Sequence, residues 1–103
     1  MWAQMITTRL KAGQDDGLPR LIEQLRQTEQ PGSGLLRSTV MRDASDPSKV
    51  YMVIVFESEE RARAREADPR RNDGLEAARA TMAEIFEGPP EFVDLTVVEE
   101  YTP

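Results

Sequence analysis

The run Val50-Tyr51-Met52-Val53-Ile54-Val55-Phe56 carries no charged residue, and both of its alternating sets of side chains are apolar. Successive side chains on a strand point to opposite faces. A strand that is apolar on both faces is usually central and covered on both sides. This run is therefore placed in the middle of a sheet, and the rest of the chain has to supply its neighbours and its cover.

The flanking segments fit that demand. Residues 2–10 alternate loosely, carry Trp2, Ile6, Thr7 and Thr8, and read as a first strand ending near Lys11-Ala12-Gly13. Asp15 and Asp16 offer a helix N-cap, and Pro19 falls in the first turn, where its missing N–H costs nothing. Leu18, Leu21, Ile22 and Leu25 recur at helical spacing, which predicts an amphipathic helix over 17–29. Pro31-Gly32-Ser33-Gly34 stops it. Leu35 to Arg42 reads as a second strand, and Asp43-Ala44-Ser45-Asp46-Pro47-Ser48 as the hairpin loop into the central strand. Ser58 is a candidate N-cap for a helix from Arg61, broken at Asp68-Pro69 because the residue before proline is pushed out of the helical region. The helix resumes near Asp73 with Leu75, Ala78, Met82, Ile85 and Phe86 as its apolar stripe, and Gly88-Pro89-Pro90 ends it. Phe92 to Tyr101 reads as a last strand, with Val93, Leu95 and Val97 on one face.

The order is β-α-β-β-α-β in 103 residues, one domain over residues 1–103. It implies a ferredoxin-like α+β fold: a four-stranded antiparallel sheet with two helices on one face. The helices leave the second apolar face of the central strand uncovered. An uncovered apolar face is an association site, and pairing two copies sheet to sheet would bury it, so a homodimer is expected.

Composition removes whole classes of chemistry. A net charge of −6 speaks against nucleic acid, whose non-specific binding rests on a cationic surface. With no cysteine there is no disulfide, thiolate nucleophile or thiolate-bound zinc, and with no histidine the commonest general base and haem or metal ligand is missing. The acids are scattered without calcium-loop spacing, so no metal site and no cofactor are expected. The N-terminus lacks a charged start followed by an apolar run, and no stretch approaches the ~18 apolar residues of a membrane span. No membrane partner and a cytoplasmic address follow as expectations. There is no nucleophile–base pair, phosphate-cradling glycine loop or paired carboxylate, and no catalytic residue can be named.

The run Gly34-Leu35-Leu36-Arg37-Ser38-Thr39-Val40-Met41-Arg42-Asp43, then Asp46-Pro47, then Tyr51 to Glu60 resembles the central hairpin and second-helix start of antibiotic biosynthesis monooxygenase domains. That family typically shows a glycine turn, a strand ending in Arg, an Asp-Pro turn and a strand closing on an aromatic-Glu-Ser step, here Phe56-Glu57-Ser58. The resemblance spans roughly Trp2 to Tyr101. It implies a ferredoxin-like protomer paired into a dimeric α+β barrel, with a pocket between the sheet and the helices of each protomer. Some members oxidise aromatic polyketides without a cofactor, and others degrade haem. The haem-degrading pattern of Asn, Trp and His falls here on Ile6, Arg65 and the neighbourhood of Gly74, and none of the three matches. The aromatic that closes the third strand, often Trp, is Phe56.

Each candidate residue has a plain structural role beside its functional one. Arg61, Arg63, Arg65, Arg70 and Arg71 could attract an anionic substrate. They could equally be a solvated helix with Glu57 and Glu59 pairing to Arg61 and Arg63 at i,i+4. Arg65 stands apart, because the residue four before it is Arg61, a like charge, and because the resemblance puts it at a pocket position. Asn72 could bind a substrate oxygen or cap the next helical segment. Trp2, Tyr51, Tyr101, Met82 and Phe86 could meet a ligand, or they could be core, interface and sheet surface. The resemblance suggests a cofactor-independent monooxygenase, or a related enzyme, acting on a small hydrophobic aromatic compound. Ile6, Leu25, Phe56 and Phe86 would then be apolar walls, and Arg65 and Asn72 would be partners of the substrate anion. The alternative is a non-catalytic small-ligand-binding or oligomerisation domain of the same fold, and a cavity with convergent polar groups would tell the two apart.

Overall fold

The computed structural model describes residues Met1–Pro103. Strand β1 spans Trp2–Arg9, helix α1 Gly17–Gln27, β2 Leu35–Arg42, β3 Lys49–Phe56, helix α2 Glu59–Glu66, helix α3 Asn72–Ile85 and β4 Glu91–Thr96. A single 3-10 turn, Pro69–Arg71, separates α2 from α3 at the expected Asp68-Pro69 break. The sheet order is β2-β3-β1-β4, and every neighbouring pair is antiparallel. This is the ferredoxin-like arrangement, with β3 in an interior position as its two apolar faces require.

The register sorts the side chains. Trp2, Gln4, Ile6 and Thr8 of β1 lie opposite Phe56, Ile54, Met52 and Val50 of β3 on the helix side. There Val50 and Met52 join Leu18 and Leu21 of α1, Ala78 and Ile85 of α3, Leu10 and Phe86 in the main core cluster. Leu21, Ile85 and Val50 are its largest fully buried side chains, each contributing about 1.5–3 kcal/mol on burial. Gly17 opens α1 without a side chain because a Cβ there would collide with Ile85, so the glycine sets how closely α1 approaches α3.

The other face carries Ala3, Met5 and Thr7 beside Val55, Val53 and Tyr51, with Leu95 and Val93 from β4 and Thr39 and Met41 from β2. No helix covers it. Its outer members Met41, Val93 and Leu95 are 44%, 44% and 39% exposed, whereas Ala3 and Val55 are buried. The chain after β4 is held at two points on this side. The Val97 N–H donates to the Met1 carbonyl, and Glu100 pairs with Arg37 on the far edge strand at 2.6 Å. The tail therefore crosses one end of this face.

The expected last strand to Tyr101 is corrected here, since β4 stops at Thr96. The reason is its partner: Thr96 lies opposite Trp2, and β1 has no further strand residue to pair with. The first helix is also shorter than expected, ending at Gln27, and Asp16 occupies its N-cap position without a side-chain bond. Asp15 instead meets Arg42 at 3.2 Å. Ser58 caps α2 as its type predicts, accepting from the Arg61 amide.

The β2–β3 hairpin loop is held by two aspartates. Asp43 accepts from the amides of Ser45 and Asp46, and Asp46 accepts from the Ser48 amide, the Ser48 hydroxyl and Arg9 Nη1. Hydrogen bonds from Ser48 and then Arg9 hold the Asp46 carboxyl at about 2. Its folded value lies below the ordinary 3.8, so its contribution to stability is present above that value and lost as pH falls toward 2. Asp46→Ala is expected to lower the unfolding temperature at pH 7. The gap from the parent protein should close between pH 4 and pH 2, as followed by circular dichroism melts across that range.

Candidate functional site

Helix α2, Glu-Glu-Arg-Ala-Arg-Ala-Arg-Glu, has almost no apolar face, and Ala62 is its only buried residue. Packing alone cannot hold such a helix on a sheet, because amphipathic burial supplies most helix stability in proteins. Its arginines supply the attachment. Arg61 Nη1 donates to the Gly32 carbonyl at 2.9 Å, in the loop after α1. Arg63 reaches Asp94 on β4 at 3.1 Å and lies over the Trp2 ring, 5.1 Å from its centroid. Arg65 meets Glu29, just beyond α1, through Nη2 at 2.7 Å and Nε at 2.9 Å, with its guanidinium 5.5 Å from the Phe56 ring centroid. The expected i,i+4 pairs Glu57–Arg61 and Glu59–Arg63 are present as well, at 3.6 and 3.3 Å. The same side chains thus serve the helix surface and tie it to three other segments.

Beneath α2 lies a second apolar cluster of Trp2, Phe56 and Ala62, with Leu35 and Ile54 packed against it. It does not merge with the main core. The seam between the two runs over the helix-side residues Gln4, Ile6 and Ile54 near the middle of β1 and β3. At its β4 edge, Gln4 Nε2 donates to Asp94, the carboxylate that also binds Arg63, and Phe92, opposite Ile6, is left exposed.

The candidate residues are gathered unequally. Ile6 and Leu25 are half-buried against the main core, to which the buried Phe86 belongs. Phe56 sits in the second cluster with Arg65 over its ring. Asn72 is apart from them, exposed as the first residue of α3, and its side chain makes no hydrogen bond. Arg65 is inward, with its side chain 14% exposed, but its anion is Glu29 of the same chain.

Glu29 is the residue that sequence reasoning passed over, and Arg71 entered it only as one of five clustered arginines. Burial raises the Glu29 pKa, yet the hydrogen bonds from Arg65 and Ser33 outweigh it and leave the carboxyl below its ordinary value. Arg71 is 5% exposed, and no carboxylate pairs with it. It donates to Thr28 Oγ1 and to the Arg65 carbonyl, each at 3.2 Å, and its Nε has no acceptor. Burial lowers its pKa, and the neighbouring Arg65 lowers it further. Nothing in Arg70-Arg71 distinguishes the exposed arginine from the buried one, since a 3-10 turn has no apolar period long enough to read.

Two openings flank this region. The larger, about 390 Å³, lies at the far end of β1 among Arg9, Lys11, Asp15, Arg42, Ser48 and Glu87. Its arginines are engaged, Arg9 with Asp46 and Arg42 with Asp15. The smaller, about 160 Å³, lies between α2 and the loop after α1 and includes Arg65. No group of three or more acidic residues is placed to hold a metal ion.

Removing Glu29 would leave Arg65 and Arg71 as close like charges, with neither paired. Glu29→Gln should therefore destabilise the fold by about 1–3 kcal/mol at neutral pH, well beyond a typical exposed pair. Urea titration of the two proteins at pH 7 measures the difference.

Known proteins share this architecture. A sequence profile described as antibiotic biosynthesis monooxygenase matches residues 1–85. A comparison with curated protein sequences found no match. Among solved structures, a candidate antibiotic biosynthesis monooxygenase from Chloroflexus aurantiacus is similar at 22% identity and a TM-score of 0.71, over 98% of this chain and 96% of that one. Rv0793 from Mycobacterium tuberculosis is similar at 14% identity and a TM-score of 0.74, over 98% of each chain. A mutant form of SnoaB, a cofactor-independent oxygenase from Streptomyces nogalater, is similar at 15% identity and a TM-score of 0.68, over 96% of this chain and 94% of that one. At these identities the structural likeness establishes the fold. The profile, which covers most of the chain and includes the Phe56-Glu57-Ser58 step that leads into α2, makes it a member of the antibiotic biosynthesis monooxygenase family.

Proposed function

We propose that this protein is a cofactor-independent monooxygenase acting on a small hydrophobic aromatic compound, and that it works as a homodimer. The observation that carries the chemical part is the seam between two apolar clusters with an arginine lying over an aromatic ring beside it. A structural relative described as a cofactor-independent oxygenase adds weight to the reading. An electron-rich phenol, once ionised, can itself pass electrons to oxygen, with one oxygen atom entering the substrate and the other leaving as water. The protein's share is then to exclude water and to stabilise the substrate anion in place.

In this reading Ile6, Leu25, Phe56 and Phe86 form the apolar walls, and Arg65 is the charged partner, giving up part of its bond to Glu29 for the phenolate oxygen. Asn72 would contribute its amide only on movement of the 68–72 junction, since it now faces solvent. Oxygen uptake with a panel of hydroxylated polycyclic aromatics tests the proposal. Turnover is expected for at least one of them, and Arg65→Met should lower kcat/KM by about tenfold or more. Binding without uptake would instead favour a non-catalytic ligand-binding domain.

The dimer rests on a separate observation. The uncovered sheet face exposes Met41, Val93 and Leu95 around the half-buried Met5 and Val53, and α1 and α3 pack only on the opposite face. Sheet-to-sheet pairing of two copies would remove these side chains from water in a symmetric contact. Sedimentation should give a dimer at micromolar concentration, and Val93→Glu should convert it to a folded monomer. A monomeric parent protein would rule the pairing out.

A further inference from the structure

The smaller opening beside α2 inverts the sign of the molecule. The chain carries a net charge of −6, yet this hollow of about 160 Å³ is lined by Arg61, Arg65 and Arg70 and by one carboxylate, Asp68, with Ser33 on its other wall. Local structure brings the three guanidinium groups together. Arg61 and Arg65 are four residues apart on α2 and so share a face. Pro69 starts the turn that brings Arg70 alongside them, and the Pro31–Ser33 loop closes the other side.

The charges nearby do not balance. Arg65 pairs with Glu29 at 2.7 Å, Arg70 with Asp68 at 2.7 Å, and Arg61 only loosely with Glu57 at 3.6 Å. Arg71, bonded to the Arg65 carbonyl, is the fourth guanidinium, almost fully buried and without a carboxylate. Four cations thus meet three anions, and the surplus charge is the one that solvent can least screen. Its Nε also lacks an acceptor. Burial, and then the neighbouring Arg65, lowers the Arg71 pKa, against the opposing pull of Glu29 and Asp68.

We propose that this hollow is a binding site for a compact oxyanion of the size and charge of inorganic phosphate, held by Arg61, Arg65 and Arg70. Guanidinium groups match the planar, bidentate bonding that phosphate oxygens accept. The space exceeds the ~30 Å³ that one water occupies in the liquid several times over, enough for such an anion and bridging water. Arg61 and Arg70 are more than half exposed in their present pairs. Such pairs are worth about 1 kcal/mol or less, so an anion contacting three cations at once can compete for them. The site does not rest on the oxygenase reading, because anion binding here requires no turnover.

A proton–nitrogen NMR titration tests it, with inorganic phosphate replacing chloride at constant ionic strength. Saturable shifts centred on the amides of Gly32, Ser33 and Ala64 are expected. Arg61→Gln and Arg70→Gln, both at surface positions, should each weaken binding about fivefold or more. Arg20→Gln removes an exposed arginine that pairs with Glu84 elsewhere and should leave binding unchanged. Shifts that do not saturate, or saturable binding that both hollow variants leave intact, would overturn the proposal.

Discussion

Burial of both faces of β3 is the constraint on which the rest of the molecule hangs. Its helix-side residues Val50, Met52 and Phe56 need a layer of helices, and α1 and α3 provide it over the first two. Its opposite residues Val53 and Val55 need another cover, and the chain supplies only part of it. The tail is anchored through Arg37 and Glu100, and the outer members of this face stay apolar and open. A small domain buries a modest share of its surface, so unfinished burial of this kind is where a second copy brings the largest gain.

The helix layer itself is divided by composition. Helices α1 and α3 pack by shape, down to the glycine at the start of α1 that admits Ile85. Helix α2 has only Ala62 to bury and is tied down by arginines to Gly32, Asp94 and Glu29. The exposed pairs of Arg61 and Arg63 are cheap to exchange, whereas the Arg65–Glu29 pair is shielded from water and is the tie that fixes the helix. The seam and the cationic hollow both lie beside this helix.

Electrostatics gives this region its character. An acidic protein concentrates Arg61, Arg65, Arg70 and Arg71 around two short segments, and the buried Arg71 goes unpaired while Glu29 serves Arg65. Burying a guanidinium without a carboxylate is costly, so the surrounding structure must stabilise what this corner lacks.

Much of the fold could be read from the chain. The apolar run 50–56, the helical spacing of Leu18, Leu21, Ile22 and Leu25, the Ser58 cap and the Asp68-Pro69 break are local signals, and local physics decides them. The absence of histidine and cysteine is a property of composition alone, and it narrows the chemistry whatever the fold. The partners of long polar side chains belong to the tertiary structure alone. Arg65 finds Glu29 across thirty-six positions of sequence, and Arg63 finds Asp94 across thirty-one. The end of β4 at Thr96 was likewise decided by where β1 begins rather than by the apolar residues that follow. Hydrophobic periodicity is written along the chain because each element must present one face to the core. The pairing of charges between elements has no period, and it exists only once the fold has brought those elements together.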